Sequence, residues 1–118
     1  MIHIIDDNTD VLSILAETMQ AFGYSATTFS CPSHYCEYAN SSHYHRPKII
    51  ITDVKMPKMN GYQLMQSVSE AHGEIKFIVM TGYQEVKDKC FEHPHVFMQK
   101  PFRPQEIDMN IQLLMGSA

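Results

Sequence analysis

The chain has 118 residues, of which 44% are hydrophobic and 19% charged, and it carries a formal net charge of −4. A chain of this length has room for one domain with its own core, and the composition is typical of a folded globular protein. No apolar stretch approaches the roughly 18 residues of a membrane span, and no basic stripe would neutralise a phosphate backbone. We therefore expect one domain over residues 1–118 that contacts neither membrane nor nucleic acid directly.

The cysteines and the N-terminal residues bear on cellular location. The three cysteines are an odd number without the spacing of a disulfide framework, which favours a reducing compartment. The first residues lack the basic region, apolar stretch and small residues of an export signal. These features predict a cytoplasmic protein.

Short apolar runs alternate along the chain with segments of helical periodicity. The short runs are rich in β-branched residues and predict buried strands, at residues 2–5, 24–29, 47–53, 76–80 and 95–99. Apolar spacings of three and four residues predict helices, at residues 9–22, 32–40, 62–73, 83–93 and around 107–115. This alternation predicts an α/β fold with an open, doubly wound parallel sheet covered by helices on both faces.

Polar residues stand where the predicted strands end. Ligands of such sheets bind outside the carboxyl ends of the strands, and all of those ends meet at one edge. Three carboxylates held about 5 Å apart repel by roughly 3 kcal/mol per pair at an effective dielectric constant near 20, so a compensating cation is expected. The residues at this edge are Asp6 and Asp7 after the first strand, Asp53 after the third, Thr81 after the fourth and Lys100 after the fifth.

A divalent metal ion suits these oxygen ligands. A site with few carboxylates and several waters favours Mg²⁺, with Mn²⁺ as the alternative, over a calcium cage. With the ion and Lys100 drawing charge from an incoming phosphoryl group, the carboxylate of Asp53 can act as a nucleophile and form an aspartyl phosphate. Thr81 would then donate a hydrogen bond to a phosphoryl oxygen.

Each of these features has an ordinary structural explanation when it is taken alone. Paired acids after a strand more often provide charge at a helix start, a Thr-Gly pair is a turn, and a Lys-Pro pair ends a strand. Their combination, with each residue at the end of a different predicted strand, favours a functional site.

Four motifs resemble those of response-regulator receiver domains, over essentially the whole chain. They are Asp6-Asp7, the loop at 53–61 (DVKMPKMNG), Thr81-Gly82 and Lys100-Pro101-Phe102, of which the loop is the most specific. The resemblance implies a flavodoxin-like (βα)5 fold with strand order 2-1-3-4-5. It also implies phosphorylation of Asp53 by a histidine kinase or histidine phosphotransfer protein and slow self-catalysed dephosphorylation, in a signalling module that is not a turnover enzyme.

The resemblance assigns metal-binding roles. Asp7, Asp53 and the backbone carbonyl of Lys55 would be direct ligands of the ion, and Asp6 would act mostly through water. Lys55 also occupies a position that tunes dephosphorylation in the family.

The resemblance further assigns residues to the conformational switch. Phe97, three residues before Lys100, falls at the position of the family's rotating aromatic residue, although an ordinary core phenylalanine explains it equally well. Tyr83, two residues after Thr81, is the second position that tunes dephosphorylation. The Lys100–Pro101 bond is a candidate for the cis form.

The sequence departs from the family between Thr81 and Lys100. This segment spans 19 positions, a few fewer than in many relatives, so the helix at 83–93 should be short or irregular. In the family, the helix that corresponds to residues 83–93, the strand that corresponds to 95–99 and the helix around 107–115 form the output face for a partner protein or output domain. The resemblance allows a phosphorylation-dependent homodimer, but the geometry of the face stays open.

Cysteine and histidine residues cluster on the second predicted helix and the loop after it. Their spacing fits no standard zinc motif, so we expect them to be solvent-facing polar residues. They are Cys31, His34, Cys36, His43 and His45.

Two other functions remain open. A receiver-like interaction module would work by docking alone, but it would not need the full set of residues at the strand ends. A magnesium-dependent phosphohydrolase with an aspartyl nucleophile would need an acid two residues after that nucleophile to protonate the leaving group, and Lys55 stands there.

Overall fold

The computed structural model describes residues 1–56, 58–73, 75–82 and 95–116. Within these ranges the chain forms five strands and four helices. No helix in this part of the chain combines the length and the apolar character of a membrane span. The helix predicted at 83–93 lies outside the described residues. The elements are β1 (Ile2–Ile5), α1 (Thr9–Ala21), β2 (Ala26–Phe29), α2 (Pro32–Ala39), β3 (Ile49–Asp53), α3 (Gly61–His72), β4 (Lys76–Thr81), β5 (His95–Gln99) and α4 (Pro104–Met115).

The five strands form one parallel sheet in the order β2-β1-β3-β4-β5. Strand β1 lies between β2 and β3, with Ile2 level with both Ala26 and Ile49. The predicted α/β fold and strand order are therefore confirmed. The strand order reverses between β1 and β3, and a crevice for ligands forms at the carboxyl ends of the strands at such a point.

The sheet has an apolar core on each face. Successive side chains of a strand point to opposite faces, so Ile4 packs with residues of α1 and α4, such as Leu15 and Ile107. On the other face Ile5 packs with residues of α2 and α3, such as Leu64. Because both faces are covered, the inner strands are buried along nearly their whole length and are mostly apolar, which is the pattern that predicted them.

The helices begin at the residues that the sequence favours. The side chain of Asn8 accepts hydrogen bonds from the backbone N–H groups of Asp10 and Val11 at the start of α1. Asn60 and Gln63 form a reciprocal capping box at the start of α3. These two caps fix the chain where it leaves β1 and β3, at the acidic edge of the sheet.

Two strands are shorter than predicted, and hydrogen bonding explains why. The backbone N–H of Tyr24 donates to Met19 and so completes the end of α1, and β2 begins only at Ala26. Strand β3 begins at Ile49, because Pro47 has no N–H to offer to the sheet. Strand β4 extends one residue further than predicted, to Thr81.

A buried polar network lies beneath α2. His3 is 1% exposed on β1, and its Nδ1 lies 2.9 Å from the hydroxyl of Tyr35. That hydroxyl lies 2.7 Å from the hydroxyl of Tyr44, and the rings of Phe29 and Tyr38 pack around the imidazole. Helix α2 is therefore held by polar and aromatic contacts as well as by apolar packing. The apolar pattern of β1 did not predict this role for His3.

We expect His3 to make the fold sensitive to acid. Burial lowers the pKa of His3 from 6.5 to about 4, and the positive charges of the N-terminal amine and His45 act in the same direction. As the pH falls below 6.5, His3 becomes protonated in the unfolded chain but stays neutral in the folded chain. The free energy of unfolding therefore decreases as the pH falls towards 4. From about pH 7 to pH 4.5 the free energy of unfolding should fall by about 2 kcal/mol more in the wild type than in His3→Leu.

Urea unfolding at several pH values measures this difference. The matched control is His43→Leu, which removes an exposed histidine and should follow the wild type. Parallel curves for His3→Leu and the wild type would contradict the assignment.

Gly61 allows α3 to begin against the end of β3. Its N–H donates to the carbonyl of Val54 at 2.8 Å, and a Cβ at this position would overlap the carbonyl oxygen of Asp53. Backbone atoms cannot yield as a flexible side chain can. Any larger residue must therefore displace the loop that carries Asp53.

We predict that Gly61→Ala destabilises the protein by about 2 kcal/mol, the range for overpacking at a rigid contact. It should also shift the backbone NMR signals of Asp53 and Val54. The control Gly23→Ala places its Cβ where no atom lies within 4 Å. That variant should leave the Asp53 signals unchanged, and unchanged signals in Gly61→Ala would show that the overlap is relieved elsewhere.

Candidate functional site

Three carboxylates meet at the carboxyl edge of the sheet. Asp6 and Asp7 follow β1, and Asp53 ends the neighbouring strand β3. One carboxylate oxygen of each residue lies within 4.8 Å of those of the other two. The structure thus brings together the three acids that the sequence placed at one edge.

Asp6 is the buried member of the group. It is completely inaccessible, and its Oδ1 accepts a hydrogen bond of 2.9 Å from the backbone N–H of Asn8. Its Oδ2 lies 3.3 Å from the Nζ of Lys100. Burial raises the pKa of Asp6 above its ordinary value, although the bond from Asn8 and the charge of Lys100 act in the opposite direction.

Lys100 joins the acids across the sheet. Its Nζ lies 3.2 Å from Oδ1 of Asp53 as well as beside Asp6. Its backbone N–H donates to the carbonyl of Thr81 at 2.7 Å, which fixes the end of β5 against β4. Burial opposes the charged form of Lys100, but the carboxylates of Asp6 and Asp53 outweigh it and raise the pKa of the ammonium group.

The acids differ in their access to solvent. Asp53 is 6% exposed at the floor of the site, whereas Asp7 is exposed at its rim. When all three carboxylates are ionised, their three negative charges and the one positive charge of Lys100 leave two negative charges. A hard divalent cation with oxygen ligands, such as Mg²⁺, matches both this charge and these donor atoms.

The backbone around Asp53 is held from several sides. The hydroxyl of Thr52 is buried and donates to the carbonyl of Asp53 at 3.0 Å. The N–H of Val54 donates to the carbonyl of Met80 on the neighbouring strand at 3.1 Å. Lys55 follows with an exposed side chain. Asp53 therefore sits at a fixed point where the strand ends and the loop begins.

The remaining predicted residues lie along β4 and β5. Thr81 is 1% exposed at the end of β4. Phe97 is half-buried on β5, level with Val79, and its ring meets that of His95 edge-on at 5.1 Å. The Lys100–Pro101 peptide bond is cis. Tyr83 lies outside the described residues.

The cysteine and histidine cluster does not form a metal-binding group. In the part of the chain that the structure describes, the acidic trio is the one group of three His, Cys, Asp or Glu residues close enough to share an ion. His34, His43 and His45 are exposed, as expected. Cys31 and Cys36 are free but half-buried, so they are less accessible than predicted.

The sequence of the chain matches one protein family over nearly its whole length. The family model of the response regulator receiver domain matches residues 2–112. The chain is 30% identical over 115 residues to the probable transcriptional regulator ycf27 of Cyanidium caldarium, covering 95% of this chain and 45% of that protein. It is 30% identical over 110 residues to the response regulator protein TodT of Pseudomonas putida, covering 91% of this chain and 47% of that protein. The chain thus spans about half the length of these relatives.

Solved structures support the fold. A CheY-like receiver domain protein from Methanospirillum hungatei superposes with a TM-score of 0.83 at 21% identity, covering 98% of this chain and 93% of that one. A receiver domain protein from Clostridium thermocellum gives a TM-score of 0.81 at 22% identity, covering 98% and 94%. With the family model matched from residue 2 to residue 112, the chain belongs to the response regulator receiver domains, the signalling modules that two-component systems pair with histidine kinases and output domains.

Proposed function

We propose that this domain is a phosphorylation-controlled switch in which Asp53 accepts a phosphoryl group in a magnesium-dependent reaction. The donor is a histidine kinase or a histidine phosphotransfer protein. The observation that carries the proposal is the position of Asp53. Its Oδ1 lies 3.2 Å from the Nζ of Lys100, and one of its carboxylate oxygens lies within 4.8 Å of a carboxylate oxygen of Asp6 and of Asp7. A nucleophilic carboxylate thus lies between a fixed cation and the donor atoms for a second one.

The acidic residues divide the binding of the ion. Asp7, Asp53 and the backbone carbonyl of Lys55 would hold Mg²⁺ directly, and Asp6 would act through water. The bound ion supplies positive charge that lets phosphoryl oxygens approach a carboxylate. The exposure of Asp7 leaves the ion a path from solvent.

Asp53 performs the transfer. A carboxylate oxygen forms a bond to phosphorus while the phosphorus–nitrogen bond of the donor's phosphohistidine breaks, and the electron pair of that bond stays on the imidazole nitrogen. The backbone contacts around Asp53 hold the attacking oxygen in place. Before the reaction, the ammonium group of Lys100 lies between the carboxylates of Asp6 and Asp53. In the product it pairs with a phosphoryl oxygen.

The switch begins at the end of β4. Thr81 moves toward the phosphoryl group, and its hydroxyl donates a hydrogen bond to another phosphoryl oxygen. This movement of Thr81 leaves space into which the ring of Phe97 turns. The half-buried position of Phe97 beside His95 supports this role, because the ring has both a core and a surface environment within reach. The exposed, bulky Lys55 would obstruct the water that hydrolyses the aspartyl phosphate. Tyr83, two residues after Thr81 in the sequence, is the second position to which we assign control of dephosphorylation.

The output face includes β5 and α4. Met109 and Leu113 lie one helical turn apart on α4, and each is 68% exposed. Exposed apolar side chains at this spacing suit a protein partner, an output domain or a second copy of the domain in a phosphorylation-dependent homodimer. A cytoplasmic location agrees with a kinase as the donor.

Incubation with Mg²⁺ and acetyl phosphate should add one phosphate to the protein, and intact-protein mass spectrometry detects it. Asp53→Asn should abolish the adduct because the nucleophile is gone. The matched control Asp10→Asn changes an exposed acid at the start of α1 and should keep it. A wild type without the adduct, or an adduct that persists in Asp53→Asn, contradicts the proposal.

Removal of Lys100 should separate metal binding from phosphorylation. Lys100→Ala takes one positive charge from the acids, so Mg²⁺ should bind several-fold more tightly by calorimetry. Phosphorylation by acetyl phosphate should nevertheless slow by about tenfold or more, because the phosphoryl oxygens lose their cation. Lys58→Ala removes an exposed lysine of the loop between β3 and α3 and should change neither. Weaker binding of Mg²⁺ in Lys100→Ala would refute this division of roles.

A further inference from the structure

A second recess lies at the opposite edge of the sheet, where β3 and β4 begin. Its volume is about 440 Å³. Strand β3 is five residues long, at about 3.3 Å per residue, so the length of the sheet separates this recess from the acidic site. In the described part of the chain it is lined by Arg46, Pro47, Lys48, Lys76 and Met115.

Positive charge is concentrated at this recess. Of the five lining residues that the structure describes, three are basic and none is acidic, although the chain as a whole has a net charge of −4. The sheet register places Lys76, the first residue of β4, level with Ile49, the first residue of β3. Lys48 immediately precedes β3, so both lysines lie at the amino edge of the sheet. The chain thus brings like charges together where dispersal would cost less.

The end of α4 holds one of the three cations. The ammonium group of Lys76 donates a hydrogen bond to the carbonyl of Leu114 in the last turn of that helix, where unpaired carbonyls and the helix dipole favour a cation. This bond uses one of the three N–H groups of the ammonium. Arg46 and Lys48, both exposed, bring the number of positive charges at the recess to three.

We propose that this recess binds a small polyanion that carries at least two phosphate-like charges. The guanidinium of Arg46 can hold two anionic oxygens in parallel, and the two lysines add point charges. Pro47 and Met115 supply apolar walls for the remainder of such a ligand. The volume lies within the range of small-molecule sites, and the net negative charge of the chain opposes an extended polyanion such as nucleic acid or a membrane surface.

Titration with pyrophosphate tests the proposal on the whole chain. Divalent ions are removed with EDTA and the ionic strength is held constant, so that the acidic site takes no part. We expect saturable binding of one pyrophosphate by calorimetry. The amide NMR signals of Arg46, Lys48 and Lys76 should shift, while those of Asp6 and Asp53 should not.

Two double variants with the same net charge separate a site from a general charge effect. Arg46→Gln with Lys48→Gln should weaken binding by about tenfold or more. Lys58→Gln with Arg103→Gln removes two exposed cations elsewhere and should stay within about twofold of the wild type. Urea unfolding establishes that both variants fold.

Several results would overturn the proposal, which is independent of phosphorylation at Asp53. They are an absence of saturable binding, equal weakening in both double variants, and NMR shifts centred on the acidic site. Tighter binding to vesicles of anionic lipid or to duplex DNA than to pyrophosphate would also overturn it, because the recess would then be part of a macromolecular surface.

Discussion

The electrostatic balance around Lys100 determines what the site can do. Its ammonium group lies 3.3 Å from Asp6 and 3.2 Å from Asp53, and so links the ends of β1, β3 and β5 although β4 separates the last two. One ammonium cannot neutralise three carboxylates. Under the proposed function, the residual negative charge would attract a divalent cation, and an anionic phosphoryl group would gain by approaching Asp53 only with that cation in place. Metal binding and phosphorylation, as proposed, would thus be coupled through one side chain.

The apolar layers set the precision of this balance. A carboxylate and an ammonium interact usefully only if their strands end at the same level, and the parallel register between buried strands fixes that level. Close backbone contacts refine it, since the N–H of Asn8 orients Asp6 and the absence of a side chain at Gly61 lets the loop turn directly beneath Asp53. On the face of the sheet that α2 and α3 cover, the contact between His3 and Tyr35 anchors α2. Packing remote from the acids therefore controls their spacing.

The acidic trio and the basic recess lie at opposite edges of the sheet. In a doubly wound fold the helices that follow strands begin at the carboxyl edge and end at the amino edge, so their dipoles favour anions at the first and cations at the second. The acidic trio lies beside the start of α1, where Asp10 adds an acid to the first turn. Lys76 lies at the end of α4. The proposed polyanion recess lies at the amino edge, where the helix dipoles favour its cations. A ligand in this recess would be too far from Asp53 to compete with the phosphoryl group.

The sequence by itself determined the alternation of strands and helices, the single acidic edge and the loop at 53–61 that resembles the phosphoacceptor loop of receiver domains. Buried parallel strands are contiguous apolar runs, and the polar residue that ends each run must lie at the common edge. Tertiary structure decided what local patterns cannot encode. Contacts between residues distant in sequence made His3 a buried hydrogen-bonding partner of Tyr35, shortened β2 through the end of α1, and gathered Arg46, Lys48 and Lys76 around one recess. Each of these depends on which strands become neighbours and at what register, and that is settled only when the whole sheet assembles.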